Sequence, residues 1–371
     1  MRVQLVDPSA FTPPYDRSLA AALAREGAEV ELLTSRFLYG AVPPADGYRV
    51  EQLFYRHSST RGLEARGRRA FKLAEHAADM LRFRRIADAD LVHYQWLTVP
   101  SLDRLLLPRL RPRVITAHYV LPPGASRRQR AAAQRVFGAM DAVVAHSEHS
   151  AARLREEVGL DPERVRVVPH GAFDYLTRLL EEKPLPAELE GVEGPVVLFF
   201  GLLRPYKGLD TLLEAFREVK GAELWIVGNP RMDVEPLRRL ADEAPGRVRF
   251  VTRFVEDAEI PAIFRRADLI VLPYRDGEHS GVLYTGLAFG KPLVMSEVGG
   301  FPEVAESGAG RLVPPDDPPA LAATLNELIG DEAARTELAA AARTAAAGPY
   351  SWDEVARQTL ALYEELLEAR A

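Results

Sequence analysis

The sequence predicts an α/β chain made of two open parallel-sheet domains, and three observations carry that expectation. Short apolar strands alternate with amphipathic helices through both halves, the rhythm that βαβ units impose. At 371 residues the chain is long for one hydrophobic core and suits two. A polar, proline-containing stretch at 179–194 parts the two runs as a linker would. The expected domains are therefore 1–178 and 195–349, with 350–371 as a terminal helix.

In chain order the first half shows strands at VQLVD (3–7), AEVELLT (28–34), DLVHYQW (90–96), RVITAHY (113–119), AVVAHS (142–147) and VRVVPHG (165–171). Each is a short apolar run of the kind that is buried on both faces of a parallel sheet. The helix YDRSLAAALAREG (15–27) follows the first strand, with Asp16 expected as its N-cap. The second half shows VVLFFG (196–201), AELWIVG (222–228), VRFVTRF (248–254), DLIVLPY (268–274), PLVMSEV (292–298) and GRLVPPD (310–316). Leu209, Leu212, Leu213 and Phe216 recur at helical spacing after the first of these. IPAIFRRAD (260–268) and an alanine-rich run near Ala339 supply further helices. DAD at 88–90 is a DxD triplet, but it precedes a strand and reads as a solvated helix end, not a metal site.

Composition narrows the class. With 47% hydrophobic and 27% charged residues this is an ordinary globular chain. No apolar run approaches a membrane span and MRVQLVDPSA lacks a signal-peptide core, so a cytoplasmic protein is expected. Zero cysteines exclude disulfides, thiolate catalysis and cysteine-ligated metals. No GxGxxG follows a strand and no GxxxxGK[ST] occurs, which removes the usual support for a dinucleotide fold or a P-loop. The net charge of −6 conceals an asymmetry, because residues 1–178 hold 27 Lys and Arg against 20 Asp and Glu. The excess is densest from Arg56 to Arg85, where Phe71, Ala74, Ala78 and Leu81 fall at helical spacing beside Lys72, Arg82 and Arg85. That apolar stripe is expected to pack on its own sheet. The charges either form a solvated surface or attract an anionic acceptor or an acidic membrane face.

Ligands of doubly wound sheets sit outside the carboxyl ends of the strands, so the strand-end loops hold the candidate site. GLLRPYKG (201–208) places Arg204 and Lys207 at a helix entrance, where the macrodipole favours anions and offers cations nothing. A planar Arg, a compact Lys and free helix amides suit the two charges of a diphosphate; a surface salt bridge is the alternative. RDGEHSGVLYTGLAFG (275–290) reads as a polar turn and then a helix from Val282 to Phe289, ended by Gly290. Small residues at that helix start, Ser280 and Gly281, let a ligand approach the free amides. Glu278 repels phosphate, and so either accepts hydrogen bonds from sugar hydroxyls or favours the helix N-terminus. In the first half His118 and Trp96 end strands, and Trp96 either stacks on a sugar or fills the core.

FFGLLRPYKG, RRADLIVLPYRDGEHSGV, LAFGKPLVMSEVGGFPEV and GRLVPPDDPPAL together resemble the donor-binding half of GT-B glycosyltransferases, and the match is closest to the retaining family 4. TAHYV, VVAHSEHSAARL and VVPHGAFD resemble its first half more loosely. PYSWDEVARQTLALYEELL resembles the helix that crosses back onto the first domain. The resemblance covers almost the whole chain. It implies two Rossmann-like domains facing a cleft, with 1–178 on the acceptor side and 195–349 holding the nucleotide sugar. It further implies that Gly201, Arg204, Lys207, Ser280, Gly281 and Val282 hold the diphosphate and that Phe254, Val255 and Thr285 hold the nucleoside. His118 and Glu278 would act at the transferred sugar, and Tyr15, Asp16 and Trp96 would lie on the acceptor side. Two departures stand out. The family's arginine directly follows the loop glycine, where this chain has Leu202. Of the family's two glutamates eight positions apart, the second falls on Gly286; a register anchored on Gly290 moves the pair to Gly277 and Thr285.

The implied reaction is retaining transfer of a hexose from a nucleotide-diphosphate sugar, such as a UDP- or GDP-hexose, to an acceptor hydroxyl. The acceptor would be a glycolipid, a polysaccharide precursor or a small molecule. It attacks from the face the phosphate leaves, a donor phosphate oxygen takes the proton, and no protein nucleophile, cofactor or metal is expected. The expected partners are these two substrates, with an anionic membrane as an optional peripheral contact and no nucleic acid. A nucleotide-sugar epimerase of the same architecture and a two-domain sugar-binding protein are the competing readings.

Overall fold

The computed structural model describes residues 1–58, 65–122, 124–244 and 247–370, with the backbone alone at 65–69. The chain divides into two compact units, Met1–Gly171 with Trp352–Ala371, and Ala172–Ser351. In the first, among the described residues, parallel strands lie in the order β3 (Arg49–Phe54), β2 (Glu29–Ser35), β1 (Arg2–Asp7), β4 (Leu91–Tyr94), β5 (Arg113–Thr116), β6 (Ala142–Ala145) and β7 (Val165–Val167). Helices α1 (Pro13–Arg25), α2 (Ala65–Ile86), α3 (Pro100–Leu106), α4 (Arg127–Phe137) and α5 (Glu148–Glu156) connect them. In the second the order is β10 (Val248–Val251), β9 (Glu223–Val227), β8 (Val196–Phe200), β11 (Leu269–Leu272), β12 (Leu293–Ser296) and β13 (Gly310–Val313). Its helices are α6 (Leu209–Phe216), α7 (Glu235–Ala241), α8 (Ile260–Arg266), α9 (Gly281–Ala288), α10 (Phe301–Ala305), α11 (Pro318–Gly330) and α12 (Glu332–Ala347).

This is the expected α/β class, and every expected strand forms. β3 was not expected. It is an edge strand whose Arg49 and Gln52 face solvent, so RVEQLF lacks the continuous apolar run that flags a central strand. The strand order reverses between β1 and β4 and again between β8 and β11. These switch points, where neighbouring connections leave on opposite faces, are where strand-end loops open a site.

The division falls after Gly171, and the 179–194 stretch is no linker but part of the second unit. Its polarity signalled exposure, yet backbone hydrogen bonds tie it down. The Lys183 N–H donates to Ala258 O at 2.8 Å, and the Arg249 guanidinium donates to Glu188 O and Glu190 O at 3.1 and 2.7 Å. Helix α13 (Trp352–Glu368) belongs to the first unit and packs on α1. It buries Trp352, Val355, Ala356, Thr359, Leu362 and Tyr363 along one stripe, and pairs Asp353 with Arg25 at 2.6 Å. Because α13 is acidic, the first unit carries 28 basic against 24 acidic residues, a smaller excess than residues 1–178 alone suggest.

Helix α2 overturns the expected apolar stripe, although 59–64 of that basic stretch lie outside the described residues. The buried face is Glu75, His76, Met80 and Phe83, while Ala74, Ala78 and Leu81 face solvent with Lys72, Arg82 and Arg85. Polar side chains go inward because they are partnered there. Glu75 accepts from the His57 and Ser58 N–H groups, and His76 bridges the Tyr55 hydroxyl and the Asp103 carboxylate. Asp88 and Asp90 both engage Arg2, as a solvated helix end would.

Candidate functional site

In the second unit the loops after β8 and β11 meet at the switch point. Gly208 has φ 65°, and a Cβ there would fall 1.9 Å from Pro273 O, so only glycine lets the Pro205–Lys207 turn close onto the end of β11. Arg275 locks the junction. Its N–H donates to Tyr206 O at 2.8 Å, and its guanidinium reaches Asp210 at 2.8 Å, Asp316 at 2.5 Å and Pro205 O at 3.0 Å.

This junction buries Lys207, which is only 7% exposed. Its Nζ lies 4.8 Å from the centre of the Tyr274 ring, and among the described residues it has no carboxylate partner. Burial lowers its pKa to about 8. Gly201 has φ 106°, and a Cβ there would lie 3.1 Å from Val282 Cγ2 and 3.2 Å from Lys207 Nζ. Gly201, Lys207 and Val282 therefore converge. Ser280 is the N-cap of α9 but spends its hydroxyl on the Tyr274 hydroxyl, 3.1 Å away. The N–H groups of Gly281 and Val282 open the helix without intrahelical acceptors. Arg204, by contrast, is exposed at the start of the turn, as is Leu202 beside it.

Glu278 is buried in the same loop, whose backbone is held by Gly300 N–H donating to Glu278 O at 3.0 Å. Neither register restores a second glutamate. A Cβ on Gly286 would meet Leu293 Cδ2 at 2.8 Å, so that position faces β12, and Thr285 donates its hydroxyl to Gly281 O at 2.8 Å. Phe254 is exposed, whereas Val255 is buried in the second unit's core.

The first unit presents a different chemistry. His118 follows β5, His146 follows β6 and His170 follows β7, and all three rings surround that of Tyr15 at centroid distances of 4.7, 5.2 and 4.9 Å. Trp352 of α13 closes the group at 5.1 Å. Tyr15 is thus a buried wall behind His118, and burial pushes its pKa up. His146 Nδ1 lies 3.0 Å from Val168 O, a carbonyl that only accepts, so this nitrogen carries the proton. Its Nε2 lies 3.3 Å from His118 Nδ1, and His118 Nε2 lies 3.1 Å from Gln95 Oε1, an oxygen that only accepts. Burial lowers His146 to about 4 and keeps it neutral in this chain of contacts. Trp96 stacks on His118 at 5.1 Å and on Phe11 at 4.9 Å, and its Nε1–H donates to Thr12 Oγ1 at 3.0 Å.

Asp16 is not an N-cap. Thr12 holds the N-cap position of α1 without a side-chain capping bond, and Asp16 sits inside the helix, fully buried, accepting from Thr12 Oγ1 at 3.2 Å beside Asp7. Asp7 folds the loop by accepting from the Ser9 and Phe11 N–H groups at 3.2 and 2.5 Å. Burial and the neighbouring Asp7 charge raise Asp16 well above the usual carboxylate range, and burial raises Asp7 as well. Sequence reasoning missed His146, His170, Gln95, Trp352 and Arg275. The histidines had a readable signal, since TAH, VAH and VPH each close an apolar strand, with His118 two residues past β5, His146 one past β6 and His170 three past β7. Among the described residues no group of three or more His, Asp and Glu is placed to hold a metal ion, and no helix is long and apolar enough to cross a membrane.

Residues 16–172 match the glycosyltransferase family 4 and residues 194–331 the glycosyl transferases group 1. D-inositol 3-phosphate glycosyltransferase 1 of Catenulispora acidiphila is 31% identical over 323 residues, covering 80% of this chain and 76% of that protein. The chain belongs to the GT-B glycosyltransferases of this family. The D-inositol 3-phosphate glycosyltransferase of Xylanimonas cellulosilytica is 29% identical over 393 residues, 96% of this glycosyltransferase and 92% of the relative. Anabaena HepE, solved in complex with UDP-glucose, matches with a TM-score of 0.73 at 20% identity over 99% of this glycosyltransferase and 100% of that chain, which shows the shared fold.

Proposed function

We propose that this glycosyltransferase moves a hexose, with retained configuration, from a nucleotide-diphosphate sugar to an acceptor hydroxyl. The observation that carries the reading is Lys207, a buried ammonium with no carboxylate partner among the described residues, set against Gly201 and the first amides of α9. A buried charge is stable only when something compensates it, and a diphosphate supplies the matching charge. As the bond from the sugar carbon to the leaving phosphate breaks, negative charge builds on that phosphate. Lys207, the Gly281 and Val282 amides and the exposed Arg204 stabilise it. Glu278 accepts from hydroxyls of the transferred sugar, and His118 is the histidine proposed to act on it. The acceptor oxygen bonds to the sugar carbon on the face the phosphate leaves, and its proton passes to a phosphate oxygen.

The acceptor is anionic in this reading. The first unit is net basic, and the relatives above are named for an inositol phosphate. The outer face of α2 supports peripheral contact with an anionic membrane, because Leu73 and Leu81 are about half exposed beside Lys72, Arg82 and Arg85. Calorimetry with UDP, GDP and ADP, followed by NMR of the product anomer, tests the core of the proposal. Binding of none of the three, or an inverted product, would overturn it; sedimentation with phosphatidylglycerol vesicles tests the membrane contact.

A further inference from the structure

A cavity of about 330 Å³ opens in the first unit beside the carboxyl ends of β4 and β5 and against α3 and α4. Leu97, Ile115, Leu121, Val136 and Phe137 make its walls apolar, and Ala132 and Ala133 line it with small side chains. Trp96 and His118 line it too, so it adjoins the group assigned to the transferred sugar. Gln95, Ser101, Thr116, His118, Tyr119 and Gln129 also line it, but most of its exposed wall is apolar, which suits a hydrocarbon better than a hydroxylated ring. Beside it α4 begins with Arg127, Arg128 and Arg130, all exposed, and the helix carries no acidic residue. Among the described residues none of these three arginines is held in an ion pair. A largely apolar concavity of this volume is the kind of surface that takes an apolar ligand.

We propose that this cavity takes the apolar chain of an amphiphilic acceptor whose anionic head is met by the arginines at the start of α4. The word acceptor rests on the transfer reading above; the binding itself does not. At about 30 Å³ per water-sized group, the volume holds on the order of ten methylenes. Burial of each methylene then tightens binding about fourfold.

The test is calorimetry of the whole chain with n-alkyl phosphates of increasing length, with inorganic phosphate and decyl glucoside as controls. Affinity is expected to rise about fourfold per methylene and to level off near ten carbons. Ala133→Phe, which fills the cavity, should weaken decyl phosphate at least tenfold. Joint replacement of Arg127, Arg128 and Arg130 by Gln, a surface change that spares the fold, should weaken decyl phosphate but not decyl glucoside. Chain-length independence, or inorganic phosphate binding as tightly as decyl phosphate, would overturn the proposal. So would vesicle binding that Ala133→Phe leaves untouched, because that places the lipid on a surface and not in the cavity. UDP titrations run alongside separate the two readings. Alkyl phosphate binding without nucleotide binding sinks the transfer reading alone, and the reverse sinks the cavity alone.

Discussion

Replacing Lys207 by Met should stabilise the ligand-free protein and weaken nucleotide binding, two effects of opposite sign from one change. The ammonium is 7% exposed and its pKa is lowered by burial from 10.5 to about 8. That shift corresponds to about 3 kcal/mol of stability forgone near neutral pH. The cation–π contact with Tyr274, 4.8 Å away, returns about 0.5–2 kcal/mol. Met keeps the apolar stem and removes the charge, so the net gain is on the order of 1–2 kcal/mol, or roughly 2–8 °C in Tm. Against this, the variant loses a charge-assisted contact worth about 1.5–3 kcal/mol and should bind UDP or GDP roughly ten- to hundredfold more weakly. The pH dependence follows from the direction of the shift. Between the folded value of about 8 and the unfolded 10.5 the unfolded chain binds more protons, so wild-type stability rises with pH through that window. Lys207→Met should lack this rise. Thermal unfolding from pH 7 to 10 and calorimetry at pH 7 check both arms. A less stable variant with unchanged nucleotide affinity would show that Lys207 serves the fold, and would refute the reasoning.

Further outcomes are expected at the surrounding groups. Glu278→Gln should lower turnover far more than nucleotide affinity, measured by initial rates and calorimetry; equal turnover would leave it a helix-terminus residue. Gly201→Ala should weaken UDP binding at least tenfold, because its Cβ would crowd Lys207 Nζ at 3.2 Å on a backbone with φ 106°. His146→Leu should slow turnover about tenfold at unchanged nucleotide affinity by freeing the His118 ring. It should also remove a stability term that in the wild type is present above pH 6.5 and is lost as pH falls toward 4. Tyr363→Phe should cost about 1–3 kcal/mol in urea unfolding, because it removes the hydroxyl 2.5 Å from buried His93 Nδ1.

Periodicity was enough for the sheets, since strands buried on both faces must be apolar throughout, and the edge strand β3 escaped because it is not so buried. The loops after β8 and β11 were legible for a related reason: strand ends at a switch point are where a doubly wound fold can hold a ligand, and their glycines and cations are visible in the letters. Three matters were settled only by the tertiary structure. Of two cations in one loop, Lys207 is buried and Arg204 exposed, which depends on the packing of the turn against Pro273 and Arg275. The buried face of α2 runs through Glu75 and His76, because partners distant in sequence satisfy them and a helical wheel cannot know those partners. The three histidines and Trp352 meet around Tyr15 although Tyr15 and Trp352 stand far apart along the chain. Local sequence determined which segments are strands and helices, since each must bury a face of its own; which polar groups may be buried, and beside what, was decided by contacts that exist only once the chain has folded.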